Sequence, residues 1–364
     1  MRYIFPDSNI FYNNWHLSSA DFSLLLDTIK DSQSILLISE VVCCEVQNKY
    51  HEEQNLLLAD LKKNFEKAQR FNISRTDFDF EILKQPYNFK AVLNEKVEFV
   101  EFIDCEMVPH SLVIDRAVNR KMPFRANEKG YRDTMIWLSM LNYLKEKPAS
   151  DEVYFVTQNR DDFFSAKGMQ FHEDLLEDLE KQGIHCQIFP YSSLNDFINA
   201  KVKTDEFRFS DANLKALISQ SIESEIEWEL VFELDTKSVA DFKKMLDASG
   251  IHFRFLANLL NHKFEIIEGI EDGKVLKYKR ITADAIYFEY QFNLRRCGIE
   301  FTIPVIDYLE HKSGIELFYH STDAEDANAH LIYYCRPEFT VSFVSHFEGE
   351  SVSGFQILKM GFIQ

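Results

Sequence analysis

Short apolar runs alternate with amphipathic segments over residues 1–200 of the chain. Four of the runs are typical of strands buried on both faces of a sheet: Tyr3–Phe5, Ile35–Ile38, Val153–Thr157 and His185–Phe189. The segments between them carry apolar residues at helical spacing. They predict helices over Ala20–Lys30, from Ser39 onward, and over Asn55–Phe71, Phe89–Cys105, Ser111–Arg120, Tyr131–Lys145, Phe171–Gln182 and Ser192–Ala200. This alternation predicts an α/β fold with a mostly parallel sheet flanked by helices.

The pattern changes near residue 200. A polar linker, Lys201–Asp211, and a helix over Ala212–Ile222 are expected within residues 201–224, and a further helix over Lys237–Ala248. The rest favours strands over Glu229–Leu234, Ala285–Leu294, Ile299–Val305, Ile315–Tyr319, His330–Cys335, Phe339–Phe347 and Gly354–Phe362. We therefore expect a first domain over 1–200 and an α+β or mainly β domain over 225–364, which suits a chain of 364 residues.

Four acidic islands lie far apart in the sequence. They are Asp7 in YIFPDSN, Glu45 in SEVVCCEV, Asp133 in KGYRDTMIW, and Asp161 with Asp162 in VYFVTQNRDDF. Three of the four follow an apolar run or open a helix, and an open α/β sheet gathers its ligand-binding side chains at the ends of its strands. The islands are therefore expected to converge on one edge of the sheet.

Converging carboxylates repel one another unless a cation neutralises them. A hard cation held by carboxylates can neutralise a scissile phosphate and lower the pKa of a bound water, so the islands predict a Mg²⁺ or Mn²⁺ site for phosphodiester chemistry. Asn9, two residues after Asp7, is placed to orient that carboxylate or a bound water. Thr157 and Asn159, just past the third predicted strand, are expected to support the site.

The formal net charge of −19 is unfavourable for non-specific binding to duplex nucleic acid. One local stretch is basic, however, and it leads directly into Asp133. Its cations are Arg116, Arg120, Lys121, Arg125, Lys129 and Arg132, against the single acid Glu128. Such a stretch is explained equally well by a protein face that is merely exposed to solvent and by a face that binds a ligand. Its position beside the acidic islands favours contact with a phosphate backbone.

The order Asp, Glu, KGYRD and TQNRDDF resembles the PIN-domain family over roughly residues 1–200, in a larger bacterial variant. The resemblance implies a metal-dependent endoribonuclease that cuts single-stranded RNA with Mg²⁺ or Mn²⁺. It implies Asp7, Glu45, Asp133 and Asp162 as catalytic metal ligands, with Asp161 as a neighbouring ligand. Many relatives act as toxins of toxin–antitoxin pairs or in RNA processing, so a toxin or defence role and an inhibitor or antitoxin protein as partner are expected, and a homodimer stays open.

Two departures from the family pattern leave an alternative open. Asn159 stands where an acid would bind a metal more strongly, and the segment between Glu45 and Asp133 is longer than in a minimal PIN domain. The alternative is a catalytically degenerate PIN fold that binds or regulates. An aspartyl-phosphate phosphatase is disfavoured because Asn9 replaces the second aspartate, and a dinucleotide site is disfavoured because no GxGxxG follows a strand.

The six cysteines include no CxxC pair, which favours core residues in a reducing compartment over a disulfide or zinc framework. The start MRYIF is too short for a signal peptide, and no apolar run approaches the roughly 20 residues of a membrane span. A soluble cytoplasmic protein without a membrane partner is therefore expected.

Overall fold

The computed structural model describes residues 1–70, 80–124, 129–165, 168–202, 217–249, 253–325, 327–346 and 351–362. The chain forms two compact units. One comprises Met1–Ser18 and Leu25–Val202, and the other comprises Ser19–Leu24 and Lys203–Gln364.

A five-stranded parallel sheet is the centre of the first unit. Its strands are β1 (Arg2–Pro6), β2 (Ile35–Ser39), β3 (Val100–Ile103), β4 (Glu152–Val156) and β5 (Gln187–Tyr191), in the order β3-β2-β1-β4-β5. Every pair of neighbours is parallel. The predicted α/β architecture is confirmed. Because β1 lies between β2 and β4, the segments that follow these three strands emerge side by side at one edge.

Helices cover this sheet, and their apolar faces complete the core. They are α1 (Ala20–Ser32), α2 (Glu40–Arg70), α3 (Phe89–Lys96), α4 (His110–Val118), α5 (Tyr131–Leu144), α6 (Arg160–Phe163), α7 (Glu173–Lys181) and α8 (Leu194–Lys201). Short 3₁₀ helices span Ser8–Ile10 and Phe80–Leu83. The α5 side chains of Ile136, Trp137, Met140 and Leu141 are fully buried, in accordance with their helical spacing.

Two sequence-based expectations in this unit are wrong. The helix expected over Phe89–Cys105 ends at Lys96, and Val100–Ile103 is strand β3. Pairing with β2 supplies the backbone partners that make this short, half-exposed segment a strand, and tertiary context of this kind overrides local propensity. The two helices expected after Ser39 and over Asn55–Phe71 are one continuous helix, α2; Phe71 lies outside the described residues.

The second unit contains a six-stranded antiparallel sheet. Its strands are β6 (Asn261–Arg280), β7 (Ala285–Pro304), β8 (Ser321–Glu325), β9 (Asn328–Cys335), β10 (Pro337–His346) and β11 (Ser351–Phe362). The order is β11-β10-β7-β9-β8, and β6 pairs with β7. The helices α9 (Gln220–Thr236), α10 (Val239–Ala248) and α11 (Val305–Phe318) complete the unit. The predicted α+β or mainly β class is confirmed.

Several expected strands of this unit are wrong. Glu229–Leu234 lies in α9, because Ile222, Ile226, Leu230 and Leu234 recur every four residues on its buried face. Ile315–Phe318 lies in α11, and the two strands expected on either side of residues 295–298 are one strand, β7. Strand β6 was not anticipated. Its many charged residues hide the alternation that its pairing with β7 imposes.

The described residues include no helix that is both long enough and apolar enough to cross a membrane.

Candidate active site

Asp7 is held in one orientation at the carboxyl end of β1. Its backbone N–H donates to the Val156 carbonyl of β4 at 2.9 Å, which ties the ends of the two strands together. The side chain is only 2% exposed. Its Oδ1 accepts the Ser8 N–H at 2.7 Å, and its Oδ2 accepts both the Asn9 amide and the Thr157 hydroxyl at 2.7 Å. These hydrogen bonds keep the carboxylate fixed beside β4.

The loop after β4 continues this hydrogen-bond network. The N–H of Gln158 donates to the Asn9 side-chain oxygen at 3.0 Å, and the N–H of Asn159 donates to the Thr157 hydroxyl at 3.0 Å. The Asn159 amide in turn donates to Asp133 Oδ1 at 3.2 Å. The three supporting residues expected from the sequence therefore connect Asp7 to Asp133.

Asp133 is positioned by the start of α5, which depends on a glycine. Gly130, the residue before the helix, has φ +108°, and a Cβ there would lie 2.2 Å from the Pro123 carbonyl oxygen. Only glycine suits this backbone conformation and close approach. The pKa of Asp133 is raised to about 6, mainly by burial and also by the charges of Asp7 and Asp162, while the Asn159 hydrogen bond opposes the rise.

Glu45 extends from α2 toward the same place. Its side chain is 11% exposed, and its Oε1 lies 2.6 Å from a guanidinium nitrogen of Arg132. Burial raises the pKa of Glu45, hydrogen bonding from Ser8 and the charge of Arg132 lower it, and the charge of Asp133 raises it.

Four of the predicted acids are close enough to influence one another's ionisation. Burial raises the pKa of Asp7 to about 6, and the charge of Glu45 contributes in the same direction. Asp133 responds in the same way to Asp7 and to Asp162. The fold thus brings Asp7, Glu45, Asp133 and Asp162 near one another at one edge of the sheet.

A cleft of about 600 Å³ opens beside these acids. It is lined by Lys129, Gly130, Tyr131, Arg132, Asp133, Asn159, Asp161 and Asp162. Asp161 is exposed, whereas Asp162 is half-buried. The cleft therefore combines carboxylates with two cations and the 48%-exposed ring of Tyr131.

The acids suit a hard divalent cation, although they do not form a closed cage. Among the described residues, no group of three His, Cys, Asp or Glu side chains is already close enough to hold a metal ion. Burial nevertheless raises the pKa values of Asp7, which is buried, and of Asp133, which is half-buried, so a nearby cation would favour the ionised form of both carboxyls. Oxygen ligands in this state are those that Mg²⁺ and Mn²⁺ prefer.

The expected basic surface is only partly present. Arg116 does not suit contact with RNA, because it is 4% exposed and its guanidinium donates to the Met122 carbonyl and the Asp178 carboxylate. Lys121 pairs with Glu177 at 3.2 Å. Arg120 is exposed, Lys129 and Arg132 line the cleft, and Arg125 lies outside the described residues.

Ser8 and Tyr12 belong to the site but were not predicted. The Ser8 hydroxyl lies 3.4 Å from Asp7 Oδ1 and 3.2 Å from the Tyr12 hydroxyl, and it hydrogen-bonds Glu45 as well. In the sequence, Ser8 could have been identified as a site residue from its position between Asp7 and Asn9. Tyr12 could not, because its role depends on the 3₁₀ turn that follows Asp7.

The family model of the PIN domain matches residues 4–163, a range that contains Asp7, Glu45, Asp133 and Asp162. This part of the chain is a PIN domain. The match agrees with the parallel sheet and with the resemblance seen in the sequence, and PIN domains are in general nucleases, a class of hydrolase that usually needs divalent metal ions. No curated protein and no solved structure matches the chain.

Proposed function

We propose that this protein is a Mg²⁺- or Mn²⁺-dependent endoribonuclease that hydrolyses phosphodiester bonds of single-stranded RNA. The observation that carries the proposal is the continuous hydrogen-bond network from Asp7 through Thr157 and Asn159 to Asp133. A network that fixes the buried carboxylate of Asp7 and the half-buried carboxylate of Asp133, which lines an open cleft, suits metal binding better than structural stability, because ionised carboxylates shielded from water are destabilising without a partner.

Asp7, Glu45, Asp133 and Asp162 would hold the ion. When bound, such an ion neutralises charge on the scissile phosphate and lowers the pKa of a coordinated water toward neutrality. Asn9 and Thr157 hold the Asp7 carboxylate by hydrogen bonds to the same oxygen, Oδ2, while Ser8 binds the other. The protein itself therefore restricts the orientation of the Asp7 carboxylate.

The network favours Asp162 over Asn159 as the fourth ligand. The Asn159 amide already donates to Asp133, so its contribution is to orient that carboxylate. Asp162 lines the same cleft as Asp133, and its charge contributes to the raised pKa of Asp133, which supports its assignment as a ligand beside that carboxylate. Asp161 is the more exposed neighbour and is assigned a lesser part.

The rim of the cleft suits single-stranded RNA. Lys129 and Arg132 flank the exposed aromatic ring of Tyr131. Cations bind the phosphate backbone, and an aromatic ring stacks on an unpaired base whatever its sequence. A toxin or defence role, an inhibitor or antitoxin partner and a homodimer stay predictions.

A catalytically degenerate PIN domain that binds RNA is the second candidate. The feature that favours it is Asn159, an amide where an acid would give stronger metal binding, together with the lack of a closed cluster among the described acids. The two candidates differ in one measurable respect, which is metal-dependent cleavage.

The test is incubation of the protein with end-labelled single-stranded RNA in Mn²⁺ and, separately, in chelator. The wild type should cut only with metal, and Asp7→Asn and Asp133→Asn should each lower the rate by about 100-fold or more. Glu173→Gln, an exposed acid at the start of α7, is the matched control and should cut normally. Cleavage that persists in both site variants would show a contaminant, and RNA binding without cleavage by the wild type would establish the degenerate alternative.

A further inference from the structure

The two side chains of the Arg132–Glu45 ion pair differ in their exposure to solvent. The Arg132 side chain is 71% exposed, whereas Glu45 is 11% exposed, and their charged atoms lie 2.6 Å apart. The arginine therefore reaches inward from the rim of the cleft to neutralise a nearly buried carboxylate.

Helix stability does not account for the position of Arg132. It lies in the first turn of α5, where the helix dipole favours anions such as its neighbour Asp133 and disfavours cations. The arginine is therefore unfavourable for the helix itself, and the interaction that the structure shows for its guanidinium is the ion pair with Glu45.

The same carboxylate is one of the four acids proposed to hold a divalent ion. A guanidinium in contact with Glu45 and a doubly charged cation bound by Glu45 would repel one another at short range. Arg132 contacts Oε1 of Glu45, so an ion that bound Glu45 through this atom would have to displace the guanidinium.

We propose that Arg132 is a built-in cation that neutralises Glu45 in the metal-free protein, releases it when a divalent ion binds, and then binds an RNA phosphate. The proposal rests on the proposed nuclease function and makes Arg132 a positioning residue that couples metal binding to RNA binding. The released side chain is long, exposed and already at the rim, and a guanidinium offers a planar fork of donors that matches phosphate oxygens.

The first test is calorimetric titration of the RNA-free protein with Mn²⁺. Arg132→Gln should bind Mn²⁺ about three- to ten-fold more tightly than the wild type, because no internal cation has to leave Glu45. Lys129→Gln removes a charge from the same cleft and is the matched control; it should change the affinity by less than about two-fold. The exposure of residue 132 means that folding should be unaffected, which a melting curve of each variant checks.

The second test measures binding of a phosphorothioate-substituted single-stranded RNA by fluorescence anisotropy, with and without Mn²⁺. Metal should strengthen RNA binding by the wild type several-fold, and this gain should be largely absent in Arg132→Gln and partly retained in Arg132→Lys. A gain that persists in full in Arg132→Gln would overturn the release step.

The two proposals can fail separately. A wild type that neither binds Mn²⁺ nor cuts RNA would overturn the nuclease assignment and, with it, the role of Arg132. A wild type that binds Mn²⁺ and cuts, with equal or weaker Mn²⁺ binding in Arg132→Gln, would overturn the displacement of Arg132 alone.

Discussion

Replacement of Asp7 by asparagine should change how the stability of the PIN domain depends on pH. Asparagine keeps the size of the side chain and removes the charge. The Thr157 hydroxyl can turn to accept a hydrogen bond from the new amide, and Ser8 can still donate to the remaining oxygen. The Asn9 amide loses the oxygen to which it donates at 2.7 Å and keeps the Thr157 hydroxyl at 3.2 Å, and the cost of this lost bond is the same at every pH. The pH-dependent difference between the two proteins is then the free energy of ionising residue 7 in a buried site.

The magnitude follows from the pKa of Asp7, which burial raises from 3.8 to about 6. Because the folded protein holds this proton more tightly than the unfolded chain, folding stability falls as pH rises from about 4 to about 6 and is level above that interval. The shift corresponds to about 3 kcal/mol of folding free energy, since one pKa unit is about 1.4 kcal/mol. This value is an upper limit, because the neighbouring acids ionise more readily once Asp7 is neutral. The Asp7→Asn protein does not lose folding stability in this way as the pH rises.

The assay is urea unfolding of both proteins at a series of pH values, followed by the fluorescence of Trp137. This side chain is buried in α5 of the PIN domain. Trp15→Phe and Trp228→Phe in both chains remove the other two indoles. The stability of Asp7→Asn relative to its parent should rise by about 2–3 kcal/mol between pH 4 and pH 7.5. A difference that stays constant within about 0.5 kcal/mol across this range would refute the reasoning.

The same unfolding experiment can be repeated in the presence of Mn²⁺. At a concentration of 100 times its dissociation constant, a ligand that binds only the folded state stabilises it by about 2.7 kcal/mol. The parent should gain this at pH 7.5, and Asp7→Asn should gain little. Asp21 is the matched control, because it is 6% exposed and its pKa is also raised to about 6, yet it lies outside the site. Asp21→Asn should keep the full Mn²⁺ response.

Four further substitutions test the remaining parts of the site. Asp162→Asn should lower RNA cleavage by about 100-fold and weaken Mn²⁺ binding in calorimetry, whereas Asp161→Asn should retain most of both; the reverse order would assign the fourth ligand to Asp161. Asn159→Ala removes a hydrogen bond that lowers the pKa of Asp133, so the rising limb of the pH–rate profile should move to higher pH, and an unmoved limb would contradict this. Gly130→Ala should destabilise the domain by about 2–4 kcal/mol in urea unfolding and reduce cleavage, because a Cβ there meets backbone; a stable, active variant would show that α5 can shift.

Most of the acids and their supports were predictable because they lie where a local element ends or begins. Asp7 directly follows strand β1, and Asp133 lies in the first turn of a helix that begins after a glycine, whereas Glu45 lies within α2. Parallel strands place such positions at the same edge whatever the rest of the chain does. The order of the motifs was therefore sufficient to predict the α/β class and the convergence of the carboxylates.

The partners of the basic side chains were not predictable in the same way. Arg116 belongs to a basic stretch in the sequence, but it is buried against Asp178, a residue of α7 that is 62 positions away. Which cation meets which anion depends on how helices pack, and local charge patterning contains no information about that packing.

The sequence by itself predicted a parallel sheet and the positions of the acids and loops along it, because turn residues, helix-start residues and apolar periodicity act over a few residues. Only the tertiary structure decided that β3 is a strand, that α9 is a helix and that Arg132 neutralises Glu45. Strand pairing, burial and ion pairing depend on neighbours that are distant in sequence, and those neighbours exist only once the chain has folded.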